Sequence, residues 1–443
     1  MMGQIKLFLV RPVKMNQNGK LPRRRVVVSG LGAVSPNGIG TEAFWQATRS
    51  GVSGIGPISH FDPASLSCRI AGEIGGFRPE EHMPAKELRR VGRAVPLAIA
   101  ATKEALHTAG VDPSAMSLEG KRSWGVVLGS GGGTPDFVEE QYRLYFSDQL
   151  RKTSAYNISS STIGTLSSEI SLSFDFKGPS HVISTGCTSS TDAIGYAFNL
   201  IRFGLADHLI TGGVDATITP GIMHGFSIMR VVSVSHNEEP KRASRPFDRS
   251  RDGFVLGEGA WILVLEEMEQ ALQRGARIFA ELLGYGSTCD AYHTVRLDPS
   301  GEEPARAMAL ALEDAAIAKD EVGYLAPHGT STVLNDRVET RAVKLCFGRR
   351  AYDIPMSSIK SMIGHPQGAS GAAGIVATIL ALQHGFLPPT INYEEPDPEC
   401  DLNYLPNQGL VTKAEIALCN CIAFGSKNSA LVVARGHSLH ERL

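Results

Sequence analysis

Short apolar runs alternate with amphipathic stretches along most of the chain. Runs typical of strands, rich in Val, Ile and Leu, occupy residues 26–28, 124–128, 182–183, 209–210, 261–265, 278–283 and 429–434. Stretches with helical periodicity occupy residues 96–109, 306–318 and 371–384. Strands that alternate with helices build an α/β fold, in which helices cover both faces of a parallel or mixed sheet. The pattern therefore predicts an α/β protein.

The length of the chain predicts two halves. With 443 residues, the chain exceeds what one compact core usually organises. Two α/β regions of similar style meet near residue 275. We expect a first half at residues 23–275 and a second half at 276–436, between a flexible extension at 1–22 and a tail at 437–443.

Composition narrows the class of protein. Hydrophobic residues make up 42% of the chain and charged residues 20%, which is ordinary for a globular protein. The 43 basic residues against 45 acidic residues give a net charge of -2, which argues against nucleic-acid binding. No apolar run reaches the ~18 residues of a membrane span, and the N-terminus lacks the features of a signal peptide. The 7 cysteines form no CxxC pair, so we expect a reduced, cytoplasmic protein.

Cys187 lies where an apolar run turns into a helical pattern. The sequence before and after it, Ile-Ser-Thr-Gly-Cys-Thr-Ser-Ser, consists mainly of small residues. A cysteine at such an elbow meets the helix dipole and free backbone N–H groups, which favour the reactive thiolate. Cys187 is therefore a candidate nucleophile. The alternative is a small buried hydrophobic residue, the commonest role of a free cysteine.

Two histidines far downstream lie in polar, glycine-containing loops. His328 stands in the stretch Ala-Pro-His-Gly-Thr, at the end of an apolar run. His365 follows Lys360 on a glycine-rich turn that leads into a helix. A cysteine with two loop histidines is a known catalytic combination, but each histidine alone is better explained as a structural hydrogen-bonding group. Linear spacing does not show whether the three residues meet.

In order and spacing, these stretches resemble the β-ketoacyl-acyl carrier protein synthases of the thiolase superfamily, specifically the elongating type of fatty-acid and type II polyketide systems. The similarity runs from about residue 23 to residue 434. It implies a thiolase-like fold, in which two similar halves give layered α-β-α-β-α packing. The residues that match functional positions of the family are the nucleophile Cys187, the histidines His328 and His365, the lysine Lys360 with its paired acid Glu339, the gating Phe424, and Phe226 near the acyl pocket.

The resemblance also implies the reaction. Cys187 takes an acyl group from a carrier-protein thioester, while backbone N–H groups at the Cys187 and Phe424 positions bind the negative oxygen. A malonyl thioester then loses its carboxylate, and two neutral histidines hold the enolate oxygen. The enolate carbon attacks the acyl group and releases a β-ketoacyl product. No organic cofactor is expected, because the phosphopantetheine arrives on the acyl carrier protein.

Further positions match residues that bind the substrate arm or the carrier protein. Thr330 and Thr332 match contacts to the pantetheine arm, although a role as turn-stabilising hydroxyls explains them almost equally well. The basic residues that match positions facing the acidic carrier protein are Lys86, Arg89, Arg90 and Arg230. An ordinary solvated charged face is the alternative for these four. Family members are dimers, so the resemblance implies a homodimer, or a heterodimer with a related subunit.

Two motifs depart from the bacterial fatty-acid enzymes. Gly-Cys-Thr around Cys187 replaces the usual flanking alanines, which favours the ketosynthase subunit of type II polyketide systems. At the gate, Ile-Ala-Phe-Gly-Ser-Lys-Asn replaces the usual Phe-Gly-Phe-Gly-Gly-Thr-Asn. Ala423 and Ser426 stiffen this backbone. The resemblance therefore does not fix gate motion or acyl-chain selectivity.

Other classes of protein fit the residues less well. A catalytically silent chain-length factor shares the fold, but it carries another residue, usually Gln, at the position of Cys187. A thiolase acting on coenzyme A esters, or an initiating synthase, carries a His-Asn pair or a second Cys where this chain has His328 and His365. A metalloenzyme needs a cluster of His, Cys, Asp or Glu with ligand spacing, and the linear sequence shows none.

Overall fold

The computed structural model describes residues 23–425 and 427–436. The expected extension at 1–22 and the expected tail at 437–443 lie outside the described residues. The strands are β1 (Val26–Ser35), β2 (Gly38–Ile39), β3 (Gly56–Pro57), β4 (Ile70–Ala71), β5 (Trp124–Gly129), β6 (Ser180–Ile183), β7 (His208–Asp215), β8 (Gly259–Glu267), β9 (Ala280–Cys289), β10 (Tyr324–Ala326), β11 (Phe386–Leu387), β12 (Leu410–Val411), β13 (Ile416–Ala423) and β14 (Lys427–Arg435). The helices are α1 (Thr41–Arg49), α2 (Ala85–Leu88), α3 (Ala94–Thr108), α4 (Leu118–Ser123), α5 (Pro135–Phe146), α6 (Asn157–Ser161), α7 (Thr165–Phe174), α8 (Ser189–Arg202), α9 (Pro220–Met229), α10 (Met268–Gln273), α11 (Glu302–Ala315), α12 (Val333–Phe347), α13 (Lys360–Ile363) and α14 (Ser370–His384).

A mixed sheet runs through both halves of the chain. Its strand order is β10-β13-β14-β9-β1-β8-β7-β5-β6, with β2 paired to β1. Strand β5 pairs in parallel with β6 and β7, whereas β1 runs antiparallel to β8. The pairing of β1 with β9 covers only residues 26–28 and 280–282. A short seam therefore joins the strands of the first half to those of the second.

Helices cover both groups of strands and also fill the space between them. Helices α3 and α7 pack on the strands of the first half, and α11 packs on β9 and β14 of the second. Helices α8 and α14 contact each other, while α8 contacts β5 and β7 and α14 contacts β13. This order of layers is α-β-α-β-α. The predicted thiolase-like fold is confirmed.

The predicted elements are present, with ends that differ by a few residues. The helix predicted at 96–109 is α3 (Ala94–Thr108), and the strand predicted at 278–283 continues to Cys289 as β9. The helix predicted at 306–318 is α11, which already ends at Ala315 because Ala316 adopts a left-handed conformation with φ of 54°. Apolar periodicity continues past this point, so the pattern alone did not indicate the end of the helix.

Asp215, at the end of β7, ties the two halves together near the site. Its carboxylate accepts hydrogen bonds from Ser130 Oγ at 2.7 Å and from the N–H groups of Gly131 and Gly132, both at 2.9 Å. It also accepts one from the N–H of Gly368, in the second half, at 2.6 Å. Burial raises the pKa of Asp215, while these hydrogen bonds lower it. One buried carboxylate thus fixes a turn of the first half against the loop that precedes α14.

Candidate active site

The structure brings Cys187, His328 and His365 together. Cys187 Sγ lies 3.2 Å from His365 Nε2, and the two imidazole rings stand edge to face with centroids 5.3 Å apart. One sulfur or nitrogen atom from each residue lies within 4.8 Å of the other two. All three side chains are buried, with exposed fractions of 5%, 2% and 3%. The cysteine and the two loop histidines therefore form one site, which their linear spacing could not show.

The turn that presents Cys187 is fixed by its own polar groups. Strand β6 ends at Ile183 and helix α8 begins at Ser189. Between them Gly186 has a φ of 71°, a conformation that favours glycine. Ser189 Oγ donates to the carbonyl of Gly186 at 2.5 Å and accepts from the N–H of Thr185 at 2.9 Å. The structure therefore contains the predicted elbow, with Cys187 just before the helix.

Burial keeps Cys187 protonated at rest. It raises the pKa of the Cys187 thiol to about 11, although the charge of Lys360 and the backbone N–H groups of Phe424 and Cys187 lower it. The backbone N–H groups at the helix N-terminus act in the expected direction, towards the thiolate, but desolvation of this buried thiol outweighs them. A base has to remove the proton when the sulfur attacks. The two N–H groups are those that the family resemblance assigned to the negative oxygen.

His365 is held on both sides of its ring and is neutral. Ser370 Oγ lies 2.8 Å from Nδ1, while Nε2 contacts Cys187. Phe254 packs edge to face against the ring, with centroids 5.2 Å apart. Burial lowers the pKa of His365 well below its ordinary value, and the charge of Lys360 lowers it further. At neutral pH, Nε2 can therefore accept a proton or donate one, depending on the tautomer.

His328 is held through its backbone. Glu339, on α12, accepts hydrogen bonds from the N–H groups of His328 and Gly329, both at 2.7 Å. Lys360, at the start of α13, donates from Nζ to the His328 carbonyl at 2.6 Å. Burial lowers the pKa of His328 well below its ordinary value, and the charges of Lys360 and His365 act in the same direction. The site thus holds two neutral histidines.

The expected pairing of Lys360 with Glu339 takes an indirect form. In the described structure, both side chains contact the backbone of His328, and Glu339 also accepts from Asn420 Nδ2 at 2.6 Å. Burial lowers the pKa of Lys360, while the negative charge of Glu339 raises it. The two residues therefore clamp His328 from its N–H and C=O sides and interact with each other through their charges.

A second thiol, Cys421, lies in the site and was missed by the sequence analysis. Its Sγ is 3.3 Å from His328 Nδ1 and 3.1 Å from the carbonyl oxygen of Cys187. Ser370, the partner of His365, was missed as well. The only signal for Cys421 was the alternation along β13, which places it on the same side of the strand as Cys419. That signal shows which face a residue occupies and not what it contacts.

A narrow pocket leads to the three residues. Thr330, Thr332 and Phe424 line it, as the resemblance implied, and Thr330 Oγ1 lies 2.9 Å from Thr332 Oγ1. Phe254 also lines the pocket. The ring of Phe226 packs edge to face on Phe254 from behind, with centroids 5.2 Å apart. The structure therefore places three predicted residues in the pocket wall and Phe226 behind that wall.

One backbone position among the described residues of the gate has a conformation that favours glycine. Ala423 ends strand β13 and is buried. Gly425, directly after Phe424, has a φ of 81°, which only glycine adopts readily. Ala423, which stands where the fatty-acid enzymes have glycine, therefore lies in extended strand backbone that does not require glycine. The predicted effect of Ser426 falls on a residue outside the described ones.

The four predicted docking residues differ in exposure. Lys86 in α2, Arg89 directly after that helix, and Arg230 directly after α9 are exposed. Arg90 is half-buried and forms ion pairs with two carboxylates, one of them that of Glu169. Arg90 is therefore engaged within the fold, because a paired cation is less available to a partner. Three exposed cations remain candidates for docking.

Comparison with known proteins agrees with this architecture. Residues 23–271 match the model of the β-ketoacyl synthase N-terminal domain, and residues 279–394 match that of the β-ketoacyl synthase C-terminal domain. The chain therefore belongs to the β-ketoacyl synthase family. It is an acyltransferase, a condensing enzyme.

Curated relatives come from both fatty-acid and polyketide systems. The chain is 41% identical over 411 residues to "3-oxoacyl-[acyl-carrier-protein] synthase 2" of Synechocystis sp., which covers 93% of this chain and 98% of the relative. It is also 41% identical over 418 residues to "Tetracenomycin polyketide synthase ketoacyl synthase alpha subunit" of Streptomyces glaucescens, with 93% and 97% covered. The relatives thus support both pathways named by the sequence resemblance.

Solved structures with the same fold are ketosynthases. One is a type II polyketide synthase acyl-carrier protein in complex with its ketosynthase bound to the hexaketide, with a TM-score of 0.86 and 33% identity. Another is the ishigamide ketosynthase/chain length factor, also with a TM-score of 0.86 and 33% identity. Each match covers 93% of this chain and 99% of the solved chain.

Within the part of the chain that the structure describes, none of the helices has both the length and the apolarity for a membrane crossing.

Proposed function

We propose that the protein is an elongating β-ketoacyl-acyl carrier protein synthase. It transfers an acyl group from a carrier-protein thioester to Cys187 and joins it to malonyl-acyl carrier protein with loss of CO2. The observation that carries the proposal is the 3.2 Å contact between Cys187 Sγ and His365 Nε2, beside the second neutral histidine, His328. A nucleophile next to two neutral hydrogen-bonding groups suits both acyl transfer and decarboxylation.

Acyl transfer begins with the Cys187 thiol. His365 Nε2 accepts the thiol proton while the sulfur attacks the thioester carbonyl. The negative oxygen of the intermediate accepts hydrogen bonds from the backbone N–H groups of Cys187 and Phe424, which face the sulfur. The carbonyl then re-forms, the bond to the carrier sulfur breaks, and His365 gives its proton to the departing thiolate. The product is acyl-Cys187 and a free carrier thiol.

Condensation uses both histidines as donors. The malonyl carboxylate leaves as CO2, and the electrons of the broken C–C bond form an enolate whose oxygen accepts from Nε2–H of His328 and His365. Because burial keeps both rings neutral, they donate without adding a charge. The enolate carbon attacks the acyl carbonyl, and the bond to Cys187 breaks. The Cys187 thiolate takes up one proton from solvent.

The carrier protein supplies the group that holds the substrate. We propose that its pantetheine arm passes Thr330 and Thr332, while its acidic surface meets the exposed Lys86, Arg89 and Arg230. Exposed cations speed association with an acidic partner. The solved ketosynthase bound to its carrier protein supports this partner. In this proposal the enzyme needs no cofactor of its own, and it acts in the cytoplasm, where its cysteines stay reduced.

An apolar surface supports assembly with a second subunit. The exposed apolar side chains along the segment from α5 to α7 are Tyr142, Tyr145, Phe146, Leu150, Tyr156, Ile158 and Leu172. Helix α7 packs on β6, which is an edge strand of the sheet. Exposed apolar patches and unpaired strand edges mark interfaces. We propose a dimer through this face, with a second copy or with a related subunit, since one solved neighbour is a ketosynthase/chain length factor.

One observation favours a second candidate, a thiolase acting on coenzyme A esters. Such an enzyme carries a second cysteine in its site, and Cys421 lies 3.3 Å from His328 Nδ1. Both histidines and Lys360 are nevertheless present around Cys187. Acylation by acyl-coenzyme A in place of the acyl carrier protein, with condensation that needs no malonyl carboxylate, would support this candidate.

Intact-mass spectrometry tests the proposal. The protein is incubated with acyl carrier proteins that carry different chain lengths, and then with malonyl-acyl carrier protein. We expect wild type to gain one acyl mass and Cys187→Ala to gain none. His328→Ala should still accept the acyl group, but should decarboxylate malonyl-acyl carrier protein about 100- to 1000-fold more slowly, because it lacks one enolate donor.

The preferred chain length separates the two pathways. Preference for long saturated acyl groups supports fatty-acid synthesis, and preference for short poly-β-keto chains supports a polyketide. An acyl adduct on Cys187→Ala, or normal condensation by His328→Ala, would show that the roles assigned to these residues are wrong.

A further inference from the structure

Ser370 completes a chain of contacts that begins at the nucleophile. Cys187 Sγ lies 3.2 Å from Nε2 of His365, and Nδ1 of the same ring lies 2.8 Å from Ser370 Oγ. Ser370 is the first residue of α14 and is only 3% exposed. The family resemblance assigned no role to this residue. Its hydroxyl is placed where it can pair with Nδ1 whichever nitrogen of His365 carries the proton.

A hydroxyl differs from a backbone group in this position. A neutral imidazole carries one N–H, on Nδ1 or on Nε2, and the other nitrogen is an acceptor. A backbone N–H at Nδ1 would fix the proton on Nε2, and a carbonyl would fix it on Nδ1. The Ser370 hydroxyl can donate or accept by rotating. Nδ1 of His365 is therefore paired in either tautomer.

The two half-reactions of the proposed function need different tautomers. In acyl transfer, Nε2 of His365 has to accept the proton of Cys187, which requires the proton of the neutral ring to be on Nδ1. In decarboxylation, Nε2 has to donate to the enolate oxygen, which requires the proton on Nε2. A ring whose Nδ1 partner could only donate or only accept would serve one half-reaction and hinder the other.

We propose that Ser370 is a positioning residue that keeps Nδ1 of His365 hydrogen-bonded in both tautomers, so that one histidine acts as base in acyl transfer and as donor in decarboxylation. This inference rests on the proposed function. Between the half-reactions the ring gains a proton from solvent at Nε2 and loses one from Nδ1, so no net proton is consumed. When Cys187 is deprotonated, the imidazolium donates from Nδ1 to Ser370 Oγ.

The other histidine has a weaker and less balanced partner. Cys421 Sγ lies 3.3 Å from His328 Nδ1, and the same thiol is within reach of the Cys187 carbonyl. A thiol is a weak hydrogen-bond donor and acceptor. The single S–H of Cys421 donates to the Cys187 carbonyl, so the sulfur has no second hydrogen to donate to Nδ1 of His328. Ser370 is therefore the stronger and more adaptable of the two imidazole partners.

The test measures ionisation of Cys187 without any carrier protein. The rate of iodoacetamide labelling is followed against pH by mass spectrometry of the Cys187 peptide, because the exposed Cys289 is a second target. The other charged or titratable groups around the Cys187–His365 pair are Lys360, Asp215, His328 and Cys421, and all are unchanged in the variants. In Ser370→Ala, the imidazolium that forms with the thiolate has no partner for Nδ1–H.

We expect Ser370→Ala to label about tenfold more slowly at neutral pH, the effect of one unpaired buried donor, and its midpoint to move to higher pH. Acyl transfer should slow by a similar factor. Ser370→Thr, which keeps a hydroxyl, should restore the midpoint. Thr378→Val is the matched control: Thr378 is also buried on α14, but its hydroxyl donates to the carbonyl of Gly374. It should leave the midpoint unchanged.

Two results would overturn the inference. One is an unchanged labelling midpoint in Ser370→Ala, even if all rates fall together, since a purely structural role predicts that. The other is a shift that Ser370→Thr does not reverse while its thermal stability equals that of wild type.

Should Ser370→Ala fail to fold, Ser370→Cys replaces it, with an intermediate midpoint expected. If wild type labels normally but takes no acyl group from any carrier, the proposed function fails and the labelling result still decides the role of Ser370.

Discussion

At the scale of single residues, one buried charge acts on the whole site. The positive charge of Lys360 lowers the pKa of Cys187 and of both histidines, in each case in addition to the effect of burial. For the thiol this opposes burial, because it favours the thiolate. For the histidines it acts with burial, because it disfavours the imidazolium. A single ammonium group therefore adds to the effect of burial on the histidines and eases deprotonation of the cysteine.

Lys360→Met should shift two pH dependences to higher pH: the acid limb of decarboxylation, set by the histidines, and the alkaline limb of iodoacetamide labelling, set by Cys187. Without the charge, the pKa of His328 and of His365 rises, so that these rings become protonated, and stop donating as neutral groups, at a higher pH than in wild type. The pKa of Cys187 also rises, so that labelling by iodoacetamide requires more alkaline solution. Decarboxylation of malonyl-acyl carrier protein and iodoacetamide labelling, each measured against pH, check the two limbs. An acid limb that stays in place would contradict the role of Lys360.

The sequence identified the site residues that lie in recognisable motifs, but it missed residues whose role depends only on what they contact in the fold. Cys187, His328 and His365 were identified because each lies in a distinctive stretch. Ser370 and Cys421 were not, since a hydroxyl or a thiol gains its role only from the atom that it faces. The helix dipole indicated one influence on the pKa of Cys187, but burial is the larger one, and burial depends on the whole fold.

At the scale of elements, the contact between α8 and α14 sets the distance from nucleophile to histidine. Helix α8 begins just after Cys187, and α14 begins at Ser370, whose hydroxyl contacts His365. The helices meet where Gly371 faces Thr191, and a Cβ atom on Gly371 would lie 1.9 Å from Thr191 Oγ1. Only glycine permits this approach. The glycine at the start of the stretch that was predicted to be helical, 371–384, therefore has a direct consequence for the site.

Gly371→Ala should separate the two helices. We expect a loss of stability of about 1–3 kcal/mol, typical of overpacking, together with slower acyl transfer to Cys187. The matched control is Gly374→Ala on the same helix, where an added Cβ meets no atom within 4 Å. This control should be neutral or slightly stabilising, because alanine favours helix. Chemical denaturation and the acylation assay measure both effects, and equal behaviour of the two variants would rule out the explanation.

At the scale of the whole molecule, the exposed apolar face predicts an assembly. Ile158 is 83% exposed in a segment that carries several aromatic side chains. Ile158→Asp should convert the proposed dimer into a monomer, because it places a charge in the interface. Val411→Asp, at a position that is 79% exposed on β12, should leave the assembly intact. Light scattering during size-exclusion chromatography distinguishes the outcomes, and a dimeric Ile158→Asp would place the interface elsewhere.

The large architecture was predictable only in part. Alternation of strands and helices predicted an α/β fold, and the layers followed from the family resemblance. The seam between the halves was not predictable, since the short β1–β9 pairing and the hydrogen bond between Asp215 and Gly368 join residues far apart in the chain. Linear spacing carries no information on which distant backbone groups meet.

The hydrogen bond from the N–H of Gly368 to Asp215 affects how genes for such enzymes can recombine. A carboxylate encoded in the first half is satisfied by an N–H encoded in the second, next to His365. A recombinant that joined halves from two diverged relatives could keep every catalytic residue and still misplace this loop, unless both parents shared the geometry of that bond. Selection then acts on the two halves as one unit. The seam therefore limits which gene fragments of such enzymes can be exchanged.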